Sequence, residues 1–139
     1  MSFDLGSINL WAVLVAAVAT FLLGGAWYGA VFAKPWVKLH GYTDEQIGRM
    51  QNSQMRNFAI FMAGDLIMAT IISLLTASLG VASAGGGALL GFSLWLGIAA
   101  TIGASKNAAN DKPLGAYLID TGHELACLVV MGLIIGAWR

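Results

Sequence analysis

The sequence has few of the residues that soluble proteins carry on their surfaces. Only 10% of its 139 residues are charged, and seven basic residues balance seven acidic ones, so the formal net charge is zero. Proteins that bind nucleic acid by electrostatic attraction instead have an excess of basic residues, usually clustered on one face. The composition therefore predicts no nucleic-acid partner.

Cysteine and histidine are also scarce. Cys127 is the single cysteine, so no disulfide can form within one chain, and we interpret it as a small apolar packing residue. The two histidines are His40, in a polar connection, and His123, in an apolar segment. A rich set of metal ligands would have to come from several subunits. We therefore predict no enzymatic activity, no resident metal and no cofactor.

Apolar residues are abundant, at 58% of the chain. A membrane-spanning helix needs about 20 mostly apolar residues. Four segments meet this requirement, and they leave no polar face for water, which excludes a soluble helical core. Because the later connections are short, successive helices should be antiparallel neighbours. The predicted fold is all-α, a polytopic membrane protein with four transmembrane helices in an antiparallel bundle, as one domain over residues 1–139, with spans at about 8–32, 57–79, 86–105 and 114–138.

The connection between the first two spans is long and patterned. The pair Lys34-Pro35 predicts the end of the first helix, because the residue before a proline is pushed away from helical geometry. The sequence TDEQ at 43–46 matches a capping box, whose side chains satisfy free N–H groups at a helix start. We therefore predict a short helical extension from about Asp44 that leads into the second span, on the cytoplasmic side.

Basic residues indicate the orientation, because positively charged connections stay in the cytoplasm. Six of the seven lie in the first and third connections, which share one side of the membrane. Both termini would then face outward, and anionic membrane lipid is an expected partner of the basic side. The six residues are Lys34, Lys38, Arg49, Arg56, Lys106 and Lys112.

Three titratable residues, Asp120, His123 and Glu124, lie inside the last apolar segment. An ionised side chain at the centre of a membrane helix costs about 2.5–3.5 kcal/mol, so such a group indicates a functional site. Their spacing of three and four residues places them on one helix face, and Cys127 and Met131 continue that stripe.

Asp65 in the second span is a fourth candidate, because it lies at a similar depth. With a rise of 1.5 Å per residue, it lies about 12 Å beyond residue 57, and Glu124 lies about 15 Å beyond Leu114. We expect Asp65 to meet the polar face of the last span, within one subunit or across a subunit interface. The candidate residues for binding protons or an ion are Asp65, Asp120, His123 and Glu124.

The polar residues have three interpretations. They could fix helix packing as a structural network, or relay protons or bind a cation along a polar seam. They could also form a metal site or an intramembrane catalyst, because D-x-x-H-E at 120–124 supplies ligands one helical turn apart. The leading functional interpretation is a small channel- or transporter-like protein, and the alternative is a structural or accessory protein whose polar residues specify helix pairing.

Glycines at four-residue spacing indicate close helix packing. Three such pairs occur, and they let helix backbones approach each other within a chain or between chains. Four helices alone can barely enclose a pathway, so transport would need a homo-oligomer. The pairs are Gly25/Gly29, Gly87/Gly91 and Gly132/Gly136.

Two stretches resemble a known family. They are LLGGAWYGAVFAKPWVKLHGYT at 22–43 and LIDTGHELACLVVMGLIIGAW at 118–138, and they are similar to the small bacterial membrane proteins of domain of unknown function family 1761. The resemblance extends over nearly the whole chain and implies a four-helix protein of the bacterial inner membrane without an assigned activity. That family commonly has an aromatic residue where His123 stands, so the resemblance carries over Asp120 rather than His123.

Overall fold

The computed structural model describes residues 3–139, which form helices and no strands. Four of the helices are long and apolar enough to cross a membrane. This confirms the predicted all-α fold with four candidate spans, and each predicted span overlaps one long helix. In chain order the helices are α1 (Leu10–Val31), α2 (Ala33–His40), α3 (Asp44–Asn52), α4 (Gln54–Ser78), α5 (Ala84–Ala109) and α6 (Leu114–Ala137).

Polar side chains fix where several helices begin. The Asn9 side chain accepts hydrogen bonds from the backbone of the first turn of α1, and Ser83 does the same for α5. Thr43 and Gln46 form the predicted capping box at the start of α3. At the other end of α2, Gly41 has a φ of 69°, a left-handed conformation that glycine adopts without steric cost.

Helix α2 is not predicted by the sequence pattern. The first helix ends at Val31, but Phe32 is the only residue before a new helix begins at Ala33. Pro35 lies in the first turn of α2, where backbone N–H groups have no helical partner, so the proline costs no hydrogen bond. The predicted run of α3 into the second span is interrupted only at Ser53. The connection is therefore two helices with a turn at residues 41–43.

Two of the long helices change to π-helical geometry for five residues. These segments are Trp27–Val31 at the end of α1 and Trp95–Ala99 in the middle of α5. A π segment adds a residue to the turn and is frequent at functional sites. In both cases the segment begins with a tryptophan.

Helices α5 and α6 pack backbone against backbone through glycines. A Cβ atom at Gly87 would collide with the carbonyl of Gly132, and one at Gly91 would collide with the carbonyl of Leu128. The Gly87/Gly91 and Gly132/Gly136 pairs thus serve packing within one chain. A Cβ atom at Gly25 or Gly29 would meet nothing within 4 Å, so this pair makes no close contact within the chain. The homo-oligomer stays a prediction.

Contacts along α6 run in the opposite order to those along its neighbours. Just before α1, the Asn9 side chain donates to the carbonyl of Trp138, near the end of the chain, and Trp27 of α1 donates to the carbonyl of Ile119. The Tyr117 hydroxyl donates to the carbonyl of Ala100 on α5, whereas the glycine contacts join the other ends of these helices. The antiparallel arrangement of the whole bundle stays a prediction.

The apolar core occupies the half of the bundle nearest the chain termini. Half of its buried members are small residues of α1 that let α4 and α6 approach closely. They are Ala12, Val13, Ala16 and Ala17 of α1, Ala69 and Ile72 of α4, and Met131 and Ile135 of α6. The polar residues of α6 lie outside this core, toward the side of the basic connections.

We predict that Gly87→Ala lowers the free energy of unfolding by about 1–3 kcal/mol, because the new methyl group overpacks the α5–α6 contact. The measurement is thermal unfolding in detergent. The control is Gly97→Ala in the same helix, where a Cβ atom meets nothing within 4 Å. Equal stability of the two variants would contradict the close backbone contact.

Candidate functional site

Asp120 is the centre of a hydrogen-bond network between α6 and the first two helices. Its Oδ1 atom accepts from the Tyr28 hydroxyl at 2.7 Å and from the Trp36 indole N–H at 2.9 Å. Its Oδ2 atom lies 2.9 Å from Nε2 of His40. Both carboxylate oxygens therefore have partners, and hydrogen bonds to a charged acceptor are stronger than neutral ones.

Helix α2 presents two of these partners because Trp36 and His40 are four residues apart, on one helix face. The left-handed turn at Gly41 then brings the Tyr42 ring parallel to the His40 ring, with centroids 5.2 Å apart. Burial, and to a lesser extent the charge of Asp120, raises the pKa of Tyr42, so this phenol stays neutral.

The connection before α6 closes the network from the other side. The Lys112 ammonium donates to the His40 carbonyl and lies 5.8 Å from the centre of the Tyr42 ring. The cluster on the basic side therefore combines a carboxylate, an imidazole and an ammonium with several aromatic rings.

Two tryptophans hold the backbone of α6 on both sides of Asp120. Trp27 donates to the carbonyl of Ile119 at 3.0 Å, and Trp95 donates to the carbonyl of Thr121 at 2.9 Å. Each tryptophan begins one of the π segments. The π segments of α1 and α5 therefore begin at the two tryptophans whose indoles hydrogen-bond to this part of α6.

His123 lies one helical turn beyond Asp120. Its ring centroid is 5.0 Å from that of Tyr28, and its Nε2 atom lies 3.2 Å from the Cys127 sulfur. On α1, Gly24 leaves room for the imidazole, because a Cβ atom there would lie 3.1 Å from Nε2. The Tyr28 side chain therefore joins Asp120 to His123.

Glu124 faces a different neighbour, α5. A Cβ atom at Gly103 of α5 would lie 3.8 Å from the Oε2 atom of Glu124. The same Cβ atom would lie 3.3 Å from the Tyr117 ring. This Oε2 atom is buried and has no hydrogen-bond partner among the described residues. Lys106 lies one helical turn beyond Gly103 on α5.

Asp65 is also separate from the Asp120 network. Its carboxylate lies near Thr20 of α1, whose hydroxyl donates to the carbonyls of Ala16 and Ala17. Within residues 3–139 it forms no hydrogen bond with Asp120, His123 or Glu124. The four predicted residues therefore divide among three places, and their role in binding protons or an ion stays a prediction.

The sequence pattern missed three partners of Asp120. His40 was described only as a residue of a polar connection, and Tyr28 and Trp36 were not among the candidate site residues. All three instead point at the carboxylate. The four-residue spacing of Trp36 and His40 could have indicated two of these partners, because a helix over this stretch places both side chains on one face.

The interpretation of D-x-x-H-E as a metal site, one of the three left open by the sequence, has no corresponding geometry among the described residues. Across residues 3–139, no three side chains of His, Cys, Asp or Glu lie close enough together to hold a metal ion. Asp120, His123 and Glu124 share a helix face in the sequence, but they contact α2, α1 and α5, respectively.

We predict that Trp36→Phe releases α2 from Asp120. Losing a hydrogen bond to a charged group costs about 1.5–3 kcal/mol, so the population of undocked α2 should rise about tenfold or more. The measurement is the rate of trypsin cleavage after Lys38, and the matched control is Trp11→Phe at a tryptophan that is 70% exposed. Unchanged cleavage in Trp36→Phe would show that the indole does not hold α2.

One protein-family model matches most of the chain. The model of the family described as "Protein of unknown function (DUF1761)" matches residues 11–136. No curated protein and no solved structure matches the chain. With four helices long and apolar enough to cross a membrane, the match agrees with an integral, multi-pass membrane protein of unassigned activity. The chain belongs to the DUF1761 family.

Proposed function

We propose that this protein is a small channel- or transporter-like membrane protein, in which a polar path takes up protons or a small cation from the side of the basic connections. The observation that carries the proposal is the junction of His40 with Asp120, at 2.9 Å, at the end of a membrane-crossing helix. Histidine is the side chain whose charge changes most readily between pH 5 and 8. The pair is thus suited to exchange protons with the aqueous side.

The path continues from Asp120 into the bundle. The Tyr28 hydroxyl contacts Asp120 at 2.7 Å, and the Tyr28 ring packs on His123. With 1.5 Å of rise per residue, Asp120 lies about 9 Å and His123 about 13 Å beyond the start of α6. Chains of acids and histidines at such depths form proton relays in membrane proteins.

Asp65 and Glu124 would serve as further acceptors. Asp65 lies on α4 beside Leu66, which packs against the core that includes Met131 of the stripe on α6. The buried Oε2 atom of Glu124 has no donor among the described residues, so a bound proton or cation would satisfy it. In this proposal Asp120 and His40 form the entrance, His123 follows, and the two other carboxylates bind deeper.

The other half of the bundle is closed by its apolar core. Alanines of α1 pack against Met131 and Ile135 of α6, and these side chains are almost fully buried. Passage therefore requires the helices to separate or several chains to surround a path. We propose a homo-oligomer in the bacterial inner membrane, with the basic connections in the cytoplasm, both termini outside and lipid as the surrounding partner. No enzymatic activity is part of this proposal.

The test is proton and monovalent-cation flux in proteoliposomes. Asp120→Asn keeps the size of the side chain but removes its charge, and we expect it to abolish flux. The double variant Asp65→Asn/Glu124→Gln should also abolish flux, because it removes the deeper acceptors. The control is Glu45→Gln, at an exposed acid that forms an ion pair with Arg49 at 3.2 Å.

Flux that persists in both variants at equal, verified folding would exclude the path through these carboxylates. Flux that is absent from the wild-type protein as well would favour the second candidate, a structural or accessory protein. The observation in favour of this second candidate is that Asp120 already has three partners and is flanked by two tryptophan hydrogen bonds. Asp120→Asn would then lower stability without a transport effect.

A further inference from the structure

A cleft of about 580 Å³ opens where α3 ends and α4 begins. Its seven lining residues all lie on these two helices or at the break between them, Ser53. Two are arginines, four carry an amide or a hydroxyl group, and none is acidic. Cavities of this size hold small ligands. The cleft therefore offers positive charge and hydrogen-bond donors, and the proposed carboxylate path makes no use of it.

The two arginines of the cleft come from different helices. Arg49 of α3 forms an ion pair with Glu45 at 3.2 Å, and both side chains are exposed. Among residues 3–139, Arg56 of α4 forms no ion pair with an acid. A guanidinium presents its donors in a planar fork that matches a phosphate group. Because an exposed ion pair contributes little, Arg49 can leave Glu45 for such a group at small cost.

The face of α4 that lines the cleft continues as an exposed apolar surface. Its residues follow Arg56 and Asn57 at spacings of three and four, so they share that face. The large side chains among them are between 38% and 65% exposed. In their middle, a Cβ atom at Gly64 would meet nothing within 4 Å, which leaves a shallow groove. The surface consists of Ile60, Phe61, Gly64, Ile67 and Met68.

The length of this surface matches one leaflet of a bilayer. Arg56 and Met68 are twelve residues apart, or about 18 Å along the helix, and half of a hydrocarbon core is about 15 Å. The predicted second span begins at residue 57, directly after Arg56. The cleft therefore lies at the level of the lipid headgroups, and the apolar surface lies at the level of the acyl chains.

We propose that this cleft binds the phosphate of an anionic phospholipid, whose acyl chains lie along the exposed face of α4. Basic pockets at this level bind anionic headgroups in other membrane proteins. The two arginines without an acid in the lining favour an anionic ligand, and the adjoining apolar surface favours a lipid over a free phosphate. The site does not depend on transport through the carboxylates.

The experiment is native mass spectrometry of the full chain in detergent, titrated with phosphatidylglycerol. We expect one tightly retained lipid per chain. Arg49→Gln/Arg56→Gln should weaken its binding by at least about tenfold, because hydrogen bonds to a charged group are lost. The matched control, Lys34→Gln/Lys38→Gln, removes the same charge from exposed residues of α2 outside the cleft and should leave the affinity unchanged. Equal weakening in both variants would reduce the binding to general attraction and overturn the inference.

Two other probes separate the possible ligands. Phosphatidylcholine has the phosphate but no net charge, and we expect it to bind at least about tenfold more weakly than phosphatidylglycerol. Glycerol 1-phosphate has the charged group without acyl chains, and we expect that an excess of it does not displace the lipid. Equal binding of the two lipids would overturn the preference for an anionic headgroup. Displacement by glycerol 1-phosphate at the concentration of the lipid would assign the cleft to a free phosphate instead.

Photolabelling of the wild-type chain in vesicles needs no variant. A phosphatidylglycerol with a diazirine in its acyl chain should label Ile60, Phe61 and Ile67 preferentially, whereas the phosphatidylcholine probe should label the exposed residues of all four spans. The same distribution for both probes would overturn the inference. Absence of label from this face of α4, with a second copy of the chain crosslinked to it, would assign the face to an oligomer contact and also overturn it.

Discussion

The hydrogen bonds to the Asp120 carboxylate are the interaction on which the polar side of this protein depends. A carboxylate among apolar helices is costly unless its oxygens have partners. Here one carboxylate takes partners from α1 and α2, and thereby attaches an eight-residue helix that has no buried residue of its own. The aromatic contacts of Trp36 and His40 and the Lys112 contact lie around this attachment. Without Asp120, α2 would lose the two side-chain contacts that join Trp36 and His40 to α6.

The two halves of the bundle are stabilised by different interactions. In the half near the termini, small residues permit close packing, and dispersion between alanines and larger side chains of α6 holds the helices together. In the half near the basic connections, hydrogen bonds from the Trp27 and Trp95 indoles and the Tyr28 phenol to α6 replace that packing. The first half excludes polar groups, and the second is organised around them. A site for protons or cations at the boundary is consistent with this division.

Much of the fold could be predicted from the sequence, because long apolar segments and a capping box act locally. The four spans and the start of α3 at Asp44 follow from these signals. Helix α2 could not be predicted, because its stability comes from contacts with Asp120 rather than from its own eight residues. For the same reason the position of Asp120 was evident, whereas its partner His40, 80 residues earlier, was not. Glu124 shares a face with Asp120 in a helical projection, yet its carboxylate lies beside Gly103 of α5 rather than among the partners of Asp120, which no spacing rule anticipates.

The glycine contact between α5 and α6 also limits how the molecule can move. Two helices whose backbones touch have no side chains between them to change rotamer, so they can slide or tilt only by breaking contact along several turns. Helices α5 and α6 should therefore travel as one rigid pair. Any opening of the closed half must come from displacement of α1 and α4 relative to that pair, and the bonds from Trp27 and Tyr28 to α6 are where such a motion would pivot.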